Sequence, residues 1–230
     1  MELKSQHRSL KISLIFKIIL LVALIGIIVR IAIWENYYYH HEEGRERSTP
    51  RVFGDVSTDS TDVDETIPTE ESKQNYYVDP DKPRYLTIEK ISLHNARVLP
   101  VGETPKGAIQ VPRSIFDVGW YTGSNPPGQG GTTIIDGHNG GPTLQGVFKN
   151  LVLLSVGDII TIEMGNGIKY NYRVHDNITV SLSEANQKMK TLQTSPIQNT
   201  ESISLITCTG EWSALQRTYL SRQFLRAVRI

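Results

Sequence analysis

From Arg84 onward the sequence is a succession of short β-patterned runs broken by Gly, Pro and Asn, and this texture confines the domain to β architecture. Residues 85–88, 96–100, 119–121, 132–136, 158–164, 168–174, 178–180 and 202–207 each suit a strand. Eight or more short strands in one domain point to an all-β barrel or sandwich. Between Ile159 and Val174, Asn166-Gly167 predicts a hairpin closed by a tight type I′ turn. Ser181-Leu182-Ser183-Glu184 has the form of a capping box and predicts a short helix running to about Leu192. Residues 146–151 are expected to hold another helical turn or two.

Two stretches lie outside this pattern. Residues 12–34, ISLIFKIILLVALIGIIVRIAIW, are almost wholly apolar, and about 20 such residues span a bilayer as a helix. Lys17 and Arg30 interrupt the run near its ends, where long stems carry charge to the interfaces, and Trp34 with Tyr37, Tyr38 and Tyr39 supplies an aromatic belt. Lys4, Arg8 and Lys11 precede it. By the positive-inside tendency, residues 1–11 form a basic cytoplasmic N-terminus and residues 12–34 a single-pass transmembrane anchor in the cell membrane, with everything beyond extracellular. A cleaved signal peptide is the rival reading, but the run is long and no small-x-small cleavage site follows it. Residues 35–83 are rich in Asp, Glu, Ser, Thr and Pro and bury too little surface to offset their ordering entropy, so an acidic flexible stalk is expected there. Residues 84–230 remain, roughly 145 in number, enough for one domain.

Lys and Arg together number 24 and so do Asp and Glu, giving a formal net charge of zero and no clustered basic footprint for nucleic acid. The dense acidic residues fall in the stalk, whereas calcium needs several convergent oxygens, so no cofactor is expected and calcium dependence stays open.

Cys208 is the single cysteine, and it sits at the end of the strand-like run Ser204-Leu205-Ile206-Thr207-Cys208. A lone thiol makes no internal disulfide; it is either a small buried hydrophobe or a nucleophile partnered by a distant histidine. The polar Thr209-Gly210 that follows places it at the strand's exit. A nucleophilic thiol needs a base or cation to raise its thiolate fraction and a donor to stabilise the oxyanion formed on attack at a carbonyl. Of the six histidines, His7, His40 and His41 flank the anchor, while His94 lies in a polar turn and His175 in a strand beside Asp176. His138 differs: a strand leads into it through Gly137, and Gly140 and Gly141 follow, glycines that let a backbone approach another group closely.

These residues resemble the sortases, cysteine transpeptidases that attach proteins to the bacterial cell wall. Ser204 to Cys208 is similar to the family's Thr-Leu-x-Thr-Cys signature with Ser in the first place, Thr132 to His138 resembles the strand before the catalytic histidine, and Arg222-Gln223-Phe224-Leu225-Arg226-Ala227 resembles the arginine strand. Val118-Gly119-Trp120-Tyr121, Pro127-Gly128 and the Gly before His138 are similar to the class E and F branches more than class A. The resemblance implies a closed, mostly antiparallel eight-stranded β-barrel with one or two short helices, and with Cys208, His138 and Arg222 converging at one end. It implies attack by Cys208 on a Leu-Pro-x-Thr-Gly-like sorting signal of a surface protein or pilin, proton transfer by His138, oxyanion stabilisation by Arg222, and resolution of the thioester by an amine on a cell-wall precursor or a pilin lysine. Thr207 is a candidate substrate contact. A thiol hydrolase using the same site, or a non-catalytic membrane-anchored barrel with Cys208 merely buried, are the alternatives. If the chain returns antiparallel beside Cys208, Thr209 to Ser221 form the connecting loop and Arg222 opens the returning strand; at about 3.4 Å per residue Arg226 lies roughly 14 Å further on. Arg226 and Arg229 leave neither face of that strand cleanly apolar.

Overall fold

In the computed structural model, residues 26, 27, 29, 30, 63–104, 107–216 and 218–230 are described. The predicted basic N-terminus, most of the anchor and the stalk as far as residue 62 therefore lie outside the described residues. No helix among the described residues is long and apolar enough to cross a membrane.

Alternating apolar side chains give the strands two usable faces, and the chain exploits both. The strands are β1 (Pro83–Ile88), β2 (Leu93–Val101), β3 (Val118–Tyr121), β4 (Thr132–Gly137), β5 (Ile159–Met164), β6 (Lys169–Ser181), β7 (Ser202–Ser213) and β8 (Thr218–Arg229). They close into a barrel in the order β1-β2-β3-β4-β7-β8-β6-β5, with β2–β3 and β4–β7 parallel and the other neighbours antiparallel. One face of these strands, carrying Leu86, Val98, Ile135, Ile162, Tyr172, Leu205 and Leu225, forms the main core. The opposite face of β4, β7 and β8 carries Ile134, Ile206 and Phe224, which pack in a second core with Ala185, Met189 and Leu192 of the helix Leu182–Leu192. That helix starts at the predicted capping box, with Ser181 and Glu184 satisfying each other's backbone N–H groups.

The structure departs from the sequence reading in several places. The eight strands are differently composed, because 169–174 and 178–180 are parts of one long β6 and the eighth strand is β8. A register shift between Val174 and Asp176 lets β6 continue through its polar middle, where the Asn177 amide donates to the carbonyls of Leu151 and Leu154 at 2.9 and 2.8 Å. The β5–β6 turn is not type I′, since only Gly167 has positive φ (+82°). It is a three-residue loop in which Gly167 N–H returns to the Met164 carbonyl and Met164 N–H donates to Ile168. The extra helical turn forms later than predicted, as a 3₁₀ turn at Leu151–Leu153. Finally, β7 does not end at Cys208; it runs on to Ser213 across a bulge between Thr209 and Trp212 where Gly210 takes φ +81°.

The C-terminal part of the expected stalk is also packed rather than free. Residues 63–82 contain the short helix α1 (Glu70–Gln74), capped by Thr69, so the helix Leu182–Leu192 is α2. Asp64 bridges Ser114 in parallel fashion, donating to the Arg113 carbonyl at 2.8 Å and accepting from Ile115 at 3.0 Å. The Glu65 carboxylate accepts from Thr143 N–H and Leu144 N–H, each at 2.8 Å, and from the Thr143 hydroxyl at 2.5 Å. Tyr76 stacks at a tilt on Tyr85 and donates to the Val98 carbonyl at 2.6 Å. Composition weighs apolar area alone; here backbone pairing and carboxylate caps to the barrel order a polar segment.

Candidate active site

The β-ladder brings the candidate residues together. Cys208 on β7 stands directly opposite Arg222 on β8, two pairs beyond Ile206 opposite Phe224, with Thr207 opposite Gln223 between them. In the parallel β4–β7 pair Asp136 is level with Ile206. Because side chains alternate, Asp136, Ile206 and Phe224 form one row on the outer face, and the next row holds Cys208 and Arg222. His138 lies two residues beyond Asp136, just past the end of β4. All of these except Phe224 and Gln223 line a cavity of about 300 Å³, whose walls include Val63, Val111, Asn139 to Pro142, Trp212, Thr218 and Tyr219.

His138 is held by its ring and by its backbone. Its Nε2 lies 2.7 Å from the Pro112 carbonyl oxygen, and since a carbonyl only accepts, Nε2 carries the proton and Nδ1 is the basic nitrogen of the neutral ring. The His138 carbonyl accepts from Phe148 N–H at 2.9 Å. The predicted close approaches are real: a Cβ on Gly137 would come within 2.7 Å of the Phe148 ring, and one on Gly141 within 2.4 Å of the Glu65 carboxylate. Burial lowers the His138 pKa below its ordinary 6.5, against the opposing hydrogen bond to Pro112.

Arg222 is fully buried. Nη1 donates to the carbonyls of Tyr219 and Ser221 at 2.8 and 2.9 Å, and Nη2 to the Thr218 hydroxyl at 3.2 Å. The guanidinium is thus oriented by the hairpin that carries it, and the connection from β7 is far shorter than the expected loop from Thr209 to Ser221. Burial pushes the Cys208 thiol up to about 11; Arg222 pulls it down and Asp136 raises it further.

Other expectations are placed as follows. Thr207 lines the cavity, but alternation turns its side chain to the face opposite Cys208, where Oγ1 is buried without a hydrogen-bond partner. Arg226 and Arg229 are reconciled with β8 by ion pairs, with Asp176 at 2.6 Å and Glu201 at 2.9 Å. His94 and His175 sit at the surface beside Glu89 and Asp176. Among the described residues no group of three or more His, Cys, Asp or Glu could hold a metal ion. The sequence reading missed Asp136, which it placed only as the last residue of a strand, and the edge-to-face pair Trp212–Tyr219, 5.3 Å between ring centroids, whose partners come from two strands across the bulge.

A thiol opposite a buried guanidinium, and an imidazole lining the same cavity with its Nδ1 free of the Pro112 bond, are the kinds of group that acyl transfer through a cysteine nucleophile requires. Residues 86–229 match the family model of the Sortase domain, and the chain belongs to the sortase family of transpeptidases. Among solved structures, sortase C-1 from Actinomyces oris is similar at 20% identity and a TM-score of 0.52, over 86% of this chain and 97% of that one. Sortase C1 of GBS Pilus Island 1 is similar at 18% identity and 0.51, over 88% and 86%. Streptococcus agalactiae sortase C1 in complex with MTSET gives 22% identity and 0.48, over 70% and 75%. The likeness to these structures concerns the fold. No curated protein matches the chain.

Proposed function

We propose that this protein is a membrane-anchored cysteine transpeptidase that cleaves a Leu-Pro-x-Thr-Gly-like sorting signal on surface proteins or pilins and passes the acyl group to an amine of a cell-wall precursor or a pilin lysine. The observation that carries this reading is the common cavity lined by Cys208, His138 and Arg222. With the thiol raised and the imidazole lowered, both are neutral at rest, and the thiolate–imidazolium pair is a minor state that Arg222 favours through its charge. In that state the Cys208 proton is on His138 Nδ1, and the thiolate adds to the scissile carbonyl. Arg222 stabilises the oxyanion, whose collapse breaks the C–N bond as the imidazolium returns its proton to the leaving amine. The thioacyl enzyme is then attacked by the acceptor amine, His138 takes the amine's proton, and the thiol is restored on release of the new amide. The apolar run 12–34 supports placing the barrel outside the membrane, tethered by the segment that follows.

The test is mass spectrometry of the full chain with a panel of sorting-signal peptides, with and without an amine acceptor. A thioacyl adduct on Cys208, absent from Cys208→Ala and His138→Ala, and amide product only when amine is added, are expected. Turnover by the Cys208→Ala variant would reject the assignment; product formed by water alone, with amine ignored, would make the protein a hydrolase.

A further inference from the structure

Asp136 lines the cavity, yet the acyl-transfer steps give it no task. It is 4% exposed and lies one row behind the thiol, on the face shared with Ile134, Ile206 and Phe224, each 2% exposed or less. Its Oδ1 accepts from the Gly137 N–H at 2.7 Å. The other titratable groups that line the cavity are His138 from the loop after β4, Cys208 from β7, and Tyr219 and Arg222 from β8; β3 sets Gly119 opposite it, which carries no charge. An ionised carboxylate at this place is a second anion beside a site that must itself form a thiolate and then an oxyanion, and all three draw on the guanidinium of Arg222.

Resting on the acyl-transfer reading above, we propose that Asp136 is a positioning residue that serves as an uncharged carboxylic acid: while it keeps its proton, the charge of Arg222 is left to Cys208 and the oxyanion, and its ionisation disables the thiol. Burial pushes its pKa up to about 8, against the opposing Gly137 hydrogen bond and Arg222. The carboxyl thus loses its proton before the thiol does, and Cys208 above that pH must ionise next to an anion.

The test is the rate of Cys208 alkylation by iodoacetamide, read by mass spectrometry on the full chain from about pH 5 to 10, for the wild type and for Asp136→Asn, with Cys208→Ser as the blank. Alkylation reads the thiolate without any substrate. Asparagine mimics the protonated acid, so its rate is expected to match the wild type within about threefold near pH 6.5 and to exceed it by at least about threefold near pH 9, where only the wild type has acquired the second anion. Peptide turnover is expected to keep its alkaline limb in the variant where the wild type falls. A slower Asn variant near pH 6.5 overturns the proposal, because the carboxylate is then needed; profiles that coincide throughout overturn it as well. Asp136→Leu, which also cannot ionise, gives the same divergence if Asn does not fold. Divergence in a protein that cleaves no sorting peptide overturns the proposed function and supports the assignment of Asp136 to the thiol.

Discussion

Replacing Asp136 by Asn should change not only the chemistry but the pH dependence of folding. The carboxyl is held uncharged in the folded state because burial outweighs its hydrogen bond and the nearby guanidinium, moving its pKa from an ordinary 3.8 to about 8. In the unfolded chain the same group ionises near its ordinary value. A raised native pKa means the folded state binds the proton more tightly, so the stability tied to it is fully present below about pH 4 and is lost as pH rises toward 8. The span is roughly four pH units at about 1.4 kcal/mol each, on the order of 5 kcal/mol. Asn at the same position has no proton to lose. Urea unfolding of the two proteins at a series of pH values from about 4 to 9 should therefore give a stability difference, variant minus wild type, that climbs by several kcal/mol with pH and then levels. All other titrating groups are shared and cancel in the difference. A difference that stays constant over the whole range would show that Asp136 is ionised in the folded protein and would refute the electrostatic reasoning.

Arg222→Lys keeps a positive charge but loses the planar fork that reaches Thr218, Tyr219 and Ser221 together, and peptide turnover at equal folded protein should fall about 100-fold or more, with little change from Arg217→Lys. Damage from the Arg217 variant instead would reassign the cation. Gly137→Ala drives a Cβ to within 2.7 Å of Phe148 and 2.9 Å of Val147, so thermal unfolding should show a loss of about 1–3 kcal/mol, and an unchanged Tm would mean the β4 end yields freely. Protease added to intact cells should release the barrel by cutting ahead of Val63, whereas full protection alongside a digested surface marker would place the domain on the other side of the membrane.

The barrel was legible because its core strands alternate with period two, as in β5, where Ile160, Ile162 and Met164 are buried between more exposed neighbours. What escaped was set by partners distant in sequence. Asp176 and Asn177 broke the pattern of β6, yet they are satisfied by Arg226 of β8 and by the carbonyls of Leu151 and Leu154, none of which is nearby in the chain. Gly210 was read as the end of a strand and is a bulge within one, which moved Cys208 from a strand exit to the middle of β7 and placed Arg222 directly across from it. Cys208, His138 and Arg222 were found through their local motifs. Asp136 stayed hidden because only the parallel pairing of β4 with β7 reveals that its carboxyl shares a face with the thiol.

That parallel pairing also governs how the site comes into being. Parallel neighbours cannot be joined by a hairpin, and here the connection from β4 to β7 passes through β5, β6 and α2. The imidazole and the thiol are therefore separated by a long excursion whose closure entropy must be met before they are neighbours, while Cys208 and Arg222 meet early across a local hairpin. A chain that has formed its hairpins but not its β4–β7 ladder holds the thiol beside a cation and away from the His138 imidazole. On the proposed mechanism, catalytic competence is thus tied to completion of the barrel.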